Sequence, residues 1–181
     1  ALLSMSSDEI AVALSVTDLG WRDLLFQPLM YDQVAPFGFL LLEKVSVAIG
    51  GDNEAAFRFF PYLSSLISLI LFWWVSGRYL QYLPMLAGLI VFALSPTLVI
   101  YAGVAKQYSS DIAVTLFLLW LALRHLEGHD SPAQATISGI AGGLAILVSQ
   151  PAVLVAAGLV AVLIVEAWRA GKRGRPFAIC V

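Results

Sequence analysis

FFPYLSSLISLILFWWVSG, residues 59–77, carries no charged side chain between Arg58 and Arg78. In a helix, 19 residues rise about 28 Å, close to the roughly 30 Å hydrocarbon core of a bilayer. The pattern continues outward. Residues 79–105 form a second uncharged run that ends before Lys106, and 131–165 form a third. A shorter apolar helix fits 110–125, bounded by Asp111 and Arg124. The 35-residue run holds two minimal spans, with a turn at Ser149-Gln150-Pro151. The reading is an all-α polytopic transmembrane bundle with spans over 59–78, 83–102, 110–126, 133–149 and 151–168.

Composition supports that class. With 60% hydrophobic and 12% charged residues, the chain lacks the charge to solvate a globular surface. The net charge of −2 shows no basic excess, so nucleic acid is not an expected partner. Cys180 is the single cysteine and cannot form an internal disulfide. His125 and His129 have i,i+4 spacing beside Gly128 and Asp130, which is weak grounds for a metal site.

Lysine and arginine set the orientation, because basic residues accumulate on the cytoplasmic side. Alternating spans collect Arg78, Arg124, Arg169, Lys172, Arg173 and Arg175 on one side, read as cytoplasmic. The other side collects Arg22, Lys44, Arg58 and Lys106 together with most of the acids. Chemistry is therefore expected on the outer face. Residues 1–57 read as an outer loop, with 10–16 and 36–48 as short interfacial helices; 58–181 read as the transmembrane bundle, part of a larger domain. The chain begins at Ala1 without an initiating Met, and is expected to be a fragment that is inactive alone.

Several groups on the outer side carry chemical potential. Asp8-Glu9 follows Ser6-Ser7 before an apolar pattern. It reads either as acids in a capped first turn or as carboxylates that accept a proton or bind a metal. Lys44 and Arg58 are either snorkelling cations or anion ligands. Lys106-Gln107-Tyr108-Ser109-Ser110-Asp111 places a cation, a phenol, two hydroxyls and a carboxylate between two spans. Three cations and several acids on one face suit an anionic lipid phosphate beside a general base. Gly139-x-x-x-Gly143 matches the small-residue motif that lets helices approach. Trp73-Trp74 and Trp168 fit interfacial anchors.

The order Asp8-Glu9, Tyr31-Asp32-Gln33-Val34-Ala35-Pro36-Phe37-Gly38, Glu43-Lys44 and Arg58 with Pro61 resembles the first outer loop of GT-C glycosyltransferases. It is most similar to the bacterial relatives of protein O-mannosyltransferases and of the aminoarabinose transferase acting on lipid A. The Lys106–Asp111 stretch and Ser149-Gln150-Pro151 fit the same branch. That resemblance implies a multi-span enzyme of the bacterial inner membrane, with its site on the periplasmic face. It also implies a polyprenyl-phosphate-linked sugar donor, an acceptor hydroxyl on a glycan, lipid or protein, and transfer with inversion. Asp8, with Glu9 and Asp111, would supply the catalytic carboxylates; Lys44, Arg58 and Lys106 would hold the donor phosphate. Asp32, Gln33 and Tyr108 would form a substrate loop. A divalent metal ion, if any, would use Asp8 and Asp111. Asp32-Gln33 with a single Pro36 stands where some members carry His-Pro-Pro, so the acceptor type does not carry over.

A transporter or non-catalytic membrane scaffold is the competing class. Transporters place ionisable groups within their spans, whereas 59–77, 79–105 and 131–165 contain none. An enzyme requires the outer acids and cations to converge; a scaffold leaves them scattered.

Overall fold

The computed structural model describes residues 5–128, 131–169 and 171. His129, Cys180, Lys172, Arg173 and Arg175 lie outside them. The described residues form an all-helical assembly: α1 (Ser7–Asp18), α2 (Asp23–Phe26), α3 (Phe37–Gly50), α4 (Glu54–Ser76), α5 (Tyr82–Ala93), α6 (Pro96–Ala102), α7 (Tyr108–Leu126), α8 (Pro132–Ile146) and α9 (Ala152–Arg169), with a 3-10 turn at Met30–Asp32.

Three helices, α4, α7 and α9, are long and apolar enough to cross a bilayer. The stretch 83–102 is a bent pair rather than one straight helix: α5 and α6 meet at 57°. The cause is Pro96, which lacks an N–H and disfavours helical backbone at Ser95 before it. Helix α8 has 15 residues and rises about 22 Å, short of a full bilayer core. It is capped by Ser131, whose hydroxyl accepts from Gln134 N–H at 3.3 Å. Helix α4 starts before its apolar run, so Arg58 belongs to its second turn.

Two ends of the bundle can be told apart by their bonds. At one end, Arg78 Nε meets Glu127 Oε1 at 3.2 Å, joining the turn after α4 to the end of α7. At the other, Gly38 N–H donates to the Leu147 carbonyl at 2.8 Å, joining the start of α3 to the turn after α8. A Cβ at Gly38 would stand 2.8 Å from that carbonyl oxygen, so only glycine allows this approach.

Helices α1, α3 and the first turns of α4 share an apolar core at the second end. Val12, Ala13, Val16, Phe39, Leu40, Phe57 and Ala105 are buried together there. Phe39 and Phe57 are fully buried, each contributing about 1.5–3 kcal/mol. The hairpin between α3 and α4 turns at Gly51 with φ 82°, and Asn53 Oδ1 caps α4 by accepting from Ala56 N–H at 3.0 Å. This core fixes α1 against the loop that precedes α7.

Candidate active site

The site begins at the cap of α1. Ser6 and Glu9 form a capping box, in which Glu9 Oε2 accepts from Ser6 N at 2.9 Å and Ser6 Oγ at 3.0 Å. Glu9 Oε1 accepts from Ala105 N–H at 2.8 Å, a bond between residues 96 positions apart. Glu9 is 4% exposed, and both oxygens are occupied. Burial alone would raise its pKa. The Ser6 and Ala105 bonds and the Arg58 charge outweigh that effect and hold it below the usual glutamate value. Three donors thus hold the Glu9 carboxylate, which staples the start of α1 to the loop before Lys106.

The staple places Lys106, the next residue along the loop, beside Asp8. Lys106 Nζ lies 3.8 Å from Asp8 Oδ2 and donates to Gln33 Oε1 at 2.7 Å. The Lys106 side chain is 9% exposed, whereas that of Asp8 is 67% exposed and open to an incoming group. Arg58 approaches from α4: its charge acts on Glu9, and its Nη1 lies 4.0 Å from Glu54 Oε2. Asp8, Glu9, Gln33, Arg58 and Lys106 thus come together from four separate segments.

Other expected residues stand elsewhere. Lys44 Nζ donates to the Val16 carbonyl at 2.7 Å and to the Leu19 carbonyl, and stacks over the Trp21 ring at 5.7 Å. It closes the C-terminal end of α1, about 15 Å along the chain from Glu9, where a cation suits the helix dipole. The partners of Lys44 are backbone carbonyls at the end of α1, not Asp8, Gln33 or Glu9. Asp111 sits in the first turn of α7 with its carboxylate beside Ser149, outside hydrogen-bonding geometry. Asp32 is exposed, and Tyr108 packs its ring on Tyr101 at 4.7 Å.

Among the described residues no three carboxylate, imidazole or thiolate groups gather into a metal cage. Asp8 has a cation for its neighbour.

The bundle holds two open cavities. One of about 210 Å³ lies between α4, α5, α6 and α7, with Tyr62, Leu69, Phe92, Val99, Ala102 and Ile112 in its wall. Tyr62, in its wall, is one turn beyond Arg58 on α4. The other, about 380 Å³, lies between α7, α8 and α9. Gly143 faces it, with nothing within 4 Å of the place a Cβ would take; Gly142 makes the close approach instead, its Cβ position 3.3 Å from Leu118 Cδ2.

The pairing of Lys106 with Gln33, 73 positions away, carries no signal in the sequence. The Ser6-x-x-Glu9 capping box does, because Ser followed three residues later by Glu marks a helix start.

No curated protein and no solved structure matches the chain. The dolichyl-phosphate-mannose-protein mannosyltransferase family matches residues 34–180. Lys44, Arg58, Lys106, Tyr108 and Asp111 fall inside that match; Asp8, Glu9, Asp32 and Gln33 precede it. A match over most of the chain, on a helical multi-pass membrane scaffold, shows that the chain belongs to this family and is a membrane glycosyltransferase of GT-C type.

Proposed function

We propose that the protein moves a sugar from a polyprenyl phosphate to an acceptor hydroxyl on the outer face of a bacterial inner membrane, with inversion at the anomeric carbon. The observation that carries this reading is the meeting of an open carboxylate, Asp8, with a sheltered cation, Lys106, at 3.8 Å. Phosphate is already a good leaving group, so the transition state needs cationic stabilisation of the departing oxygen and a base for the acceptor. Lys106 and Arg58 supply the positive charge. Asp8 takes the acceptor proton as the acceptor oxygen bonds to the anomeric carbon and the carbon–phosphate oxygen bond breaks. Attack from the side away from the phosphate inverts that carbon. The apolar cavity of about 210 Å³, whose wall includes Tyr62 one turn along α4 from Arg58, suits the first isoprene units of the donor tail.

The basic residues Arg78, Arg124 and Arg169 favour placing their end of the bundle in the cytoplasm, which leaves Asp8 and Lys106 outside. The test is transfer in membranes in which this chain stands in its native protein rather than by itself, supplied with a polyprenyl-phosphate-linked sugar, with the product's anomeric configuration read by NMR. Transfer with inversion is expected. Transfer with retention, or from a nucleotide sugar but not the lipid donor, overturns the reading.

A further inference from the structure

Lys106 is almost wholly sheltered and forms an ion pair with the exposed Asp8, yet that pair stays beyond hydrogen-bonding distance. Its short bond, 2.7 Å, goes to the neutral amide oxygen of Gln33, while Asp8 Oδ2 stays 3.8 Å away. Gln33 reaches that position by an unfavourable route. Tyr31 and Asp32 both take left-handed backbone, φ 58° and 52°, which aspartate tolerates but a bulky residue such as tyrosine rarely adopts. Such geometry persists only where surrounding contacts impose it. Met30 N–H is tied to the Ser15 hydroxyl at 3.1 Å, and Ser15 is fully buried in α1. The turn is therefore anchored on the same helix that carries Asp8.

We propose that Gln33 is a positioning residue that holds Lys106 off Asp8, so that the carboxylate stays a base and the ammonium keeps its full charge for the donor phosphate. The choice of a neutral acceptor is the essential point. A carboxylate at this place would pair with Lys106, cancel its charge and compete with the phosphate. An apolar side chain would release Lys106 to collapse onto Asp8, which would then be paired and less able to take a proton. This inference rests on the reading of Lys106 as a phosphate ligand and Asp8 as the base.

The test compares Gln33→Glu, Gln33→Leu and Lys106→Ala with the unaltered protein in membranes. It measures KM for the polyprenyl-phosphate-linked sugar, kcat and the melting temperature. Gln33→Glu is expected to melt at or above the unaltered protein, yet to raise the donor KM about tenfold. Gln33→Leu is expected to lower kcat more than it raises the donor KM, because the base is lost to the ion pair. If Lys106→Ala raises the donor KM while both Gln33 variants stay within twofold in KM and kcat, the positioning role is wrong and the site reading stands. If Lys106→Ala leaves the donor KM unchanged, the phosphate reading fails and this inference falls with it. A Gln33→Glu protein that loses stability and activity together, with unchanged KM, also overturns it, since Gln33 would then be only part of the fold.

Discussion

Glu9 Oε1 accepts the Ala105 N–H at 2.8 Å, and this bond fastens the start of α1 to the loop that carries Lys106. Its other oxygen closes the capping box with Ser6. Glu9→Ala removes an ionised acceptor from three donors, two of them backbone N–H groups, and is expected to cost about 2–4 kcal/mol. The sign of its pH dependence follows from its lowered pKa. The stabilisation is present above the unfolded value of 4.5 and is lost as pH falls through the lower folded value. Thermal melts across pH 3–7 in detergent check this. Glu9→Gln should flatten the acid limb, and an unchanged limb would remove Glu9 from that role.

Glu43 behaves in the opposite sense. It is 1% exposed on α3, neither oxygen has a hydrogen-bond partner, and burial pushes its pKa up to about 9. At neutral pH it carries a proton. A raised folded value gives stability that is complete below the unfolded 4.5 and falls as pH rises towards about 9, by up to about 1.4 kcal/mol per pH unit. Glu43→Gln keeps the shape without the titration and should melt higher than the unaltered protein at pH 8.5. Equal melting temperatures there would contradict the assignment.

Lys44 is set apart by its partners from the cations proposed to hold the phosphate. Its ammonium closes the end of α1 at the Val16 and Leu19 carbonyls. Lys44→Met should cost about 1–3 kcal/mol of stability and leave the donor KM within about threefold at a temperature where the protein is folded. A donor KM raised as strongly as in Lys106→Ala would return Lys44 to the phosphate site.

Gly38 tests the junction between α3 and the α8–α9 turn. A Cβ there meets the Leu147 oxygen at 2.8 Å and its carbon at 2.9 Å, both backbone atoms that cannot swing aside. Gly38→Ala should destabilise by about 1–3 kcal/mol, through overpacking and strain on the Gly38–Leu147 bond. Gly143→Ala, which meets nothing within 4 Å, is the control and should stay within about 1 kcal/mol. Equal losses would mean the junction is not packed as described.

The helical membrane class was legible because charges are sparse: the gap from Arg58 to Arg78 corresponds to α4, and that between Asp111 and Arg124 to most of α7. The break at Leu94-Ser95-Pro96 was harder to read. Counting uncharged residues passes over Pro96, although its missing N–H is what divides α5 from α6. Asp8, Arg58 and Lys106 were readable as types and spacings. Their sorting was not. Lys44 is claimed by two backbone carbonyls, which no side-chain pattern displays, and Glu9 by a backbone N–H 96 residues away. Gln33 could be placed in a substrate loop from its neighbours, but its bond to Lys106 accompanies a left-handed turn whose first residue, Tyr31, does not advertise it.

The central claim is that Asp8 is the base of a glycosyl transfer beside Lys106, and Asp8→Asn tests it most directly. The substitution keeps size and polarity and removes basicity, so kcat at saturating polyprenyl-phosphate-linked sugar should fall about 10²-fold or more, with the donor KM nearly unchanged. A kcat within about threefold of the unaltered protein would contradict the account, leaving Asp8 as a first-turn carboxylate and the base to be sought at Asp111.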